Sequence, residues 1–237
     1  MTRVVIAGAG RMGQAVAASI ERVADLTLAG IWRRGEDLDA LLAAADVIVD
    51  FSLPEGTEQV VAAAIRRAVP VVCGVSGLSE QQLQTLRKAA TDLAVVYDRN
   101  MSLGVAVLQR AVYQAARDLG PGFEVEISEV HHVHKKDAPS GTALKLGDTV
   151  AAARGDDSTA GIRFDSERRD EVPGDHDVVF ASSSESLRFA HSAKSRQVFA
   201  DGAVHAARWI LGQPPGLYSM AEILKKSSAD SGAVRLP

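Results

Sequence analysis

The sequence predicts an α/β protein in which a parallel-sheet domain is followed by a smaller α+β domain with a mixed sheet, and three observations carry that expectation. Between residues 3 and 98 short apolar runs alternate with longer stretches of helical period, the rhythm of strand-helix units that build a parallel sheet. The first run leads directly into Gly8-Ala9-Gly10-Arg11-Met12-Gly13, a glycine turn that opens a helix. After Tyr97 the rhythm breaks, and Glu124-Val125-Glu126-Ile127-Ser128-Glu129-Val130 alternates as a strand with one wet face. The first domain is therefore expected to be of Rossmann type.

The strands of that domain are expected at Arg3 to Ala7, Leu26 to Trp32, Val47 to Phe51, Pro70 to Cys73 and Leu93 to Val96. Crossover helices at Met12 to Val23, Asp37 to Ala44, Thr57 to Arg67 and Ser79 to Thr91 carry apolar residues at spacings of three and four. A further helix, Gly104 to Asp118, ends at the Gly120-Pro121-Gly122 turn. Beyond the alternating strand, Gly161 to Phe164, Asp177 to Ala181 and Leu187 to Ala190 read as strands, the last two joined through Ser182-Ser183-Ser184-Glu185 as a hairpin. Val198 to Leu211 and Met220 to Lys226 read as helices, and the tail from Ser227 is expected to fray. The expected division is a dinucleotide-binding domain over 1–101, a second domain over 102–195 and C-terminal helices over 196–237.

Of the 237 residues 46% are hydrophobic and 24% charged, which excludes a disordered or fibrous chain. With 26 Lys and Arg against 30 Asp and Glu the formal net charge is -4, so no polybasic field draws the chain to nucleic acid or anionic lipid. A small soluble ligand is the expected partner. No apolar run approaches the roughly 18 residues of a membrane span. The N-terminal apolar stretch is too short for a signal peptide and runs into the glycine turn. The single cysteine, Cys73, sits in an apolar run and reads as a buried strand thiol in a reducing compartment, so a cytoplasmic protein is expected.

The glycine turn has the spacing and context of a dinucleotide fingerprint. Gly8 serves the tight turn, Gly10 the approach of a pyrophosphate and Gly13 close packing of helix on sheet, while the N-H groups of Ala9, Arg11 and Met12 face the phosphates. At the tip of the second strand no carboxylate stands to receive a ribose hydroxyl. The stretch is Trp32-Arg33-Arg34, two guanidiniums for a 2'-phosphate and an indole on which adenine could stack, which favours NADPH, with NADH possible. The competing reading makes Arg33 and Arg34 solvated loop charges and gives the ribose to Glu36 or Asp37. Two later loops, Gly74-Val75-Ser76-Gly77 and Asp98-Arg99-Asn100-Met101-Ser102, follow strands four and five, where ligands of open α/β sheets sit; they read equally well as ordinary turns.

Three histidines fall within Glu129-Val130-His131-His132-Val133-His134-Lys135-Lys136-Asp137. If the extended conformation persists, His131, Val133 and Lys135 share one face, so an imidazole and an ammonium could serve one pocket for proton transfer. A zinc site lacks a second Cys or a close carboxylate pair, and no metal is expected. Asp137-Ala138-Pro139-Ser140-Gly141-Thr142 then turns into a helix capped by Ser140, an N-terminus suited to a substrate carboxylate with His132 and Lys135 nearby. His176, His191 and His205 are isolated and read as packed or solvated residues, and Arg168 and Arg169 as solvated charges.

The segment from Glu129 to Ala143 matches E-x-H-H-x-x-K-x-D-x-P-S-G-T-A, and with Gly8 to Gly13, Asp50 to Thr57, Asn100 to Gly104 and Gly202-Ala203-Val204 the chain resembles the dihydrodipicolinate reductase family of lysine and diaminopimelate biosynthesis. The resemblance implies NAD(P)H-dependent reduction of a cyclic unsaturated imine dicarboxylate, with hydride added to a ring carbon conjugated to the C=N bond. It implies that His131 and Lys135 carry the acid-base work and that His132, Ser140, Gly141 and Thr142 hold the substrate. It also implies that the C-terminal helices rejoin the nucleotide domain and that four chains associate as a homotetramer through the second domain's sheet. The sequence departs from the family pattern in a glycine loop one residue shorter and in Trp32 where an acid is common. Gly74-Val75-Ser76-Gly77 stands for G-T-T-G, and the segment between Gly174 and Asp177 looks short, as if a strand were missing. A related imine or amino-acid oxidoreductase, or a non-catalytic NADPH-binding regulator, are the alternatives.

Overall fold

The computed structural model describes residues 1–227 and divides into two compact units, residues 1–103 with the segment from Arg196 onward, and residues 104–195. In the first unit β1 (Thr2–Ala7), β2 (Leu26–Trp32), β3 (Val47–Asp50), β4 (Val71–Cys73) and β5 (Ala94–Tyr97) alternate with α1 (Arg11–Glu21), α2 (Leu38–Leu42), α3 (Pro54–Arg67) and α4 (Glu80–Ala89). The strands are continuous apolar runs because both faces are covered: Val4, Val5, Ile6, Val47, Ile48, Val49, Val71, Val72, Val95 and Val96 are all fully buried. Cys73 is buried among them, and burial pushes its thiol up, with the nearby Asp50 adding to the shift.

Local chemistry sets the helix ends. Ser79 and Gln82 form a reciprocal capping box on α4, and Pro54 occupies the first turn of α3. The helix expected over Asp37 to Ala44 is shorter, Leu38–Leu42, with Asp37 capping it by accepting from the Ala40 N-H at 3.1 Å.

The sheet is parallel throughout in the order β10-β5-β4-β3-β1-β2, where β10 is Gly216–Tyr218. That sixth strand went unrecognised in the sequence because three residues are too few to show a period. The first unit also takes α7 (Gln197–Ile210) and α8 (Met220–Ser227). Helix α7 lies on α1, where Ser19 donates to Asp201 at 2.7 Å. Its approach is close: a Cβ on Gly202 would sit 1.7 Å from the Met101 carbonyl oxygen. Of the tail expected to fray, Ser227 closes α8 and the remainder lies outside the described residues.

The second unit holds α5 (Leu103–Leu119) from Gly104 onward, β6 (Glu124–His131), α6 (Gly141–Arg154), β7 (Ile162–Arg168), β8 (Asp175–Ala181) and β9 (Ser186–Ser192). Its sheet has the order β7-β6-β8-β9, with β6 and β7 parallel and the other pairs antiparallel. The β8–β9 hairpin turns at Ser182, whose N-H donates to the Glu185 carbonyl at 2.9 Å. Val125, Ile127, Val178 and Phe180 face inward onto Leu108, Val112, Leu146 and Val150, forming a separate core. Among the described residues no helix is long and apolar enough to cross a membrane.

Candidate functional site

In the first unit the glycine turn lines a cleft of about 410 Å³ with Trp32, Arg33, Arg34, Phe51, Ser52, Leu53 and Gly56. Gly8 has φ +101°, and a Cβ on it would lie 2.6 Å from the Phe51 carbonyl oxygen. A Cβ on Gly13 would lie 1.8 Å from the Gly8 carbonyl oxygen, so α1 can sit on the turn only with glycine there. Nothing lies within 4 Å of a Cβ placed on Gly10, which leaves open backbone at the mouth of α1. The first turn of that helix contains no acid, and its Gly10 cap brings no side-chain bond. This is a cradle that fits a pyrophosphate, with Gly8, Ala9 and Gly10 at its surface and Arg11, Met12 and Gly13 opening the helix.

The structure separates the candidate ribose-end residues. Trp32 is 3% exposed and its Nε1-H donates to the Glu36 carbonyl at 3.0 Å, so little of the indole is left for an adenine to stack on. Asp37 is spent on the α2 cap, and Glu36 accepts from the Arg33 backbone N-H at 2.9 Å. Arg33 and Arg34 are exposed at the cleft, with loose partners in Glu36 at 3.8 Å and Glu55 at 3.6 Å. Such pairs are weak and readily exchanged for a ligand phosphate.

The two later loops do not line this cleft. Gly74 lies against the Phe51 ring, Val75 is buried in the core and Ser76 is exposed. Asp98 is 4% exposed, with one carboxylate oxygen accepting from Asn100 N-H and the other from Met220 N-H, both at 3.3 Å. The Asn100 side chain accepts from Ser102 N-H at 2.9 Å, Met101 is buried against α7, and Arg99 is exposed. The side chains of Asp98 and Met101 thus hold the chain in place.

In the second unit the inward row of β6 begins with Val125 and Ile127 and continues with Glu129 and His131, so one sheet face turns from apolar to ionic along its length. The neighbouring strands do the same: register sets Ser166 and His176 opposite Glu129, and Arg168 opposite His131. Strand β6 ends at His131, and the chain then turns, Lys135 N-H donating to the His132 carbonyl at 3.0 Å. The expected continuation of the strand, with His131, Val133 and Lys135 on one face, is therefore not found. Val133 N-H is drawn instead to the Asp170 carbonyl at 3.1 Å, and its side chain points to solvent.

Glu129 is the hub of this end of the sheet. Its side chain is fully buried, and it accepts from the Nδ1-H of His131, from Ser140 N-H at 3.2 Å and from both terminal nitrogens of Arg168 at 3.0 Å. Burial works to raise the Glu129 carboxyl, but Arg168 and His131 outweigh it and hold the group below the usual carboxylate range. The bond to Nδ1 turns Nε2 of His131 away from the carboxylate. Burial lowers the His131 imidazole, Glu129 opposes that, and the charges of Lys135 and Arg168 add to it, leaving it below its ordinary value.

Two of the side chains set aside in the sequence belong here. Arg168 is an ion-paired residue with one fifth of its side chain exposed, because it lies in phase with Ile162, Phe164 and Ser166 on the inner face. His176 is 2% exposed, its ring edge-on to His131 at 5.0 Å and its Nε2 3.3 Å from the Ser140 hydroxyl. Burial, then the neighbouring His131 and His191, push His176 down to about 3, so it is neutral. The sequence signal was available in both cases, since His176 is in phase with Val178 and Phe180.

Ser140 caps α6 through its hydroxyl, which accepts from Ala143 N-H at 3.2 Å. Lys135, with 23% of its side chain exposed, holds the Asp137 carboxylate at 2.9 Å. Burial works to raise Asp137, but the Lys135 bond and the Gly141 N-H outweigh it and keep the carboxyl low. Lys135 and the start of α6 thus already bind one carboxylate. Thr142 is buried at that helix start, and His132 is half-buried beside His134.

The family models described as dihydrodipicolinate reductase, N-terminus and C-terminus, match residues 2–101 and 104–224. A protein of Halorhodospira halophila named 4-hydroxy-tetrahydrodipicolinate reductase is 43% identical over 206 residues, 80% of this chain and 77% of that one. Its namesake in Zymomonas mobilis is 39% identical over 242 residues, 93% of this chain and 95% of that one. A dipicolinate-bound dihydrodipicolinate reductase from Paenisporosarcina sp. TG-14 has the same fold, with a TM-score of 0.75 at 23% identity, covering 92% of this chain and 97% of that one. With both halves matched in order and relatives aligned over most of its length, the chain belongs to the dihydrodipicolinate reductase family.

Proposed function

We propose that the protein reduces 4-hydroxy-tetrahydrodipicolinate, through dihydrodipicolinate, to tetrahydrodipicolinate with NAD(P)H, a step of lysine and diaminopimelate biosynthesis. The observation that carries this reading beyond the family is the carboxylate of Asp137 held by Lys135 and the Gly141 N-H, beside an imidazole fixed by Glu129. A dicarboxylate substrate exchanges with Asp137 at Lys135, Gly141 and Thr142, with His132 alongside. Ser140 contributes by fixing the start of α6.

When bound at the glycine turn, NAD(P)H supplies the hydride. Gly8, Ala9, Gly10 and the opening of α1 hold its pyrophosphate, and Arg33 and Arg34 take a 2'-phosphate, which makes NADPH the preferred form. The structural roles of Asp98 and Met101 leave contacts to the nicotinamide half to the backbone of 98–101 and of 74–76.

Hydride addition leaves an electron-rich enamine whose ring carbon needs a proton. Lys135 or His131 gives it, and solvent restores the donor. Burial destabilises the imidazolium, Glu129 opposes this and the nearby cations add to it, so protonated His131 is a stronger acid than a free imidazolium. Assembly as a cytoplasmic homotetramer belongs to the same proposal and rests on the family pattern. A coupled assay with the upstream synthase, following nicotinamide absorbance with each cofactor in turn, tests the activity. Substrate-dependent oxidation, faster with NADPH and inhibited by pyridine-2,6-dicarboxylate, is expected; cofactor binding without oxidation would refute it.

A further inference from the structure

We propose that Arg168 is a positioning residue for the reaction, a single guanidinium that fixes both the imidazole of His131 and the loop carrying Lys135. The inference rests on the reading of His131 and Lys135 as the acid-base pair. A guanidinium has five N-H donors in a rigid fork, and here each has an acceptor. The Nη1 pair goes to Glu129 Oε2 at 3.0 Å and the Glu167 carbonyl at 2.7 Å. The Nη2 pair goes to Glu129 Oε1 at 3.0 Å and to the Asp137 carbonyl, and Nε donates to the Lys135 carbonyl at 3.1 Å.

Two of these acceptors are main-chain carbonyls of the 135–137 loop, so the fork sets the path from which Lys135 extends. Two are the oxygens of one buried carboxylate, whose other contacts are the Nδ1-H of His131 and the Ser140 N-H that starts α6. Turning Glu129 would release His131 and the helix start together. Lysine keeps the charge but cannot reproduce the fork, because its three donors radiate from one atom. The charged and titratable groups around His131 are Glu129 on its own strand, Arg168 on β7, Lys135 in the following loop and His176 on β8. Loss of the Arg168 charge removes a repulsion from the imidazolium, so His131 takes a proton at higher pH.

The test compares R168K, R168M, R168A and H131Q in the coupled assay, with circular dichroism and NAD(P)H binding as checks that both units are folded. R168M is expected to lower kcat at least about tenfold with KM for the cofactor within about twofold. It should also move toward higher pH the limb of the kcat profile that H131Q abolishes. R168K should lower kcat while leaving that limb in place, and guanidinium added to R168A should restore turnover where ammonium does not. Wild-type kcat in R168K, or a loss of amplitude in R168M without movement of the limb, overturns the inference. Wild-type turnover in H131Q would instead overturn the acid-base reading on which it stands.

Discussion

His176 makes a quantitative prediction about acid stability. Its ring is 2% exposed, and burial together with His131 and His191 lowers it from 6.5 to about 3. Between those two values the unfolded chain binds a proton that the folded protein excludes. Stability is therefore complete above pH 6.5 and falls as the pH drops toward 3. At about 1.4 kcal/mol per pH unit, the loss attributable to this one residue by pH 5 is about 2 kcal/mol. The perturbation is H176Q, whose amide nitrogen takes the place of Nε2 opposite the Ser140 hydroxyl and does not titrate. Hydrogen exchange of peptides covering β6 and β8, measured at pH 7 and pH 5 and corrected for intrinsic rates, reports the opening free energy in both proteins. His131 and His191 are also lowered by burial and act in the same direction in both proteins, so the difference reads the His176 titration together with its coupling to those two rings. The variant should lose about 2 kcal/mol less than the wild type between the two pH values; equal losses would refute the reasoning.

Three variants test the first unit. Gly13→Ala places a Cβ 1.8 Å from the Gly8 carbonyl oxygen, and the displaced turn should weaken cofactor binding at least about tenfold in a nicotinamide fluorescence titration, with about 1–3 kcal/mol lost from stability. Replacing Arg33 and Arg34 together by Ser should raise KM for NADPH about tenfold and leave KM for NADH within about twofold, since only the former carries the phosphate they would hold. Ser79→Ala removes half of the capping box on α4 and should cost about 1 kcal/mol in thermal unfolding without changing kcat.

The parallel sheet was legible because each strand is an apolar run between helices of clear period, and the glycine turn because its three glycines meet separate steric demands. What escaped was either too short or apparent only across strands. Strand β10 spans three residues. Glu129, Arg168 and His176 lie on three different strands and meet only through the sheet register, although each is in phase with the apolar residues of its own strand. Polar residues on an inward row read as surface when each strand is taken alone. The turn after His131 depends on Asp170, far along the chain, and a local pattern does not contain it. At Trp32 and Asp98 residue type and loop position point to a cofactor contact, while their polar side-chain atoms are engaged within the fold.

The most direct test of the proposed chemistry is Lys135→Ala in the coupled assay, with cofactor affinity measured in parallel by fluorescence. A fall in kcat of about 100-fold or more with NAD(P)H affinity unchanged is the expected result. Turnover at the wild-type rate would show that the ammonium beside Asp137 neither holds nor protonates the substrate.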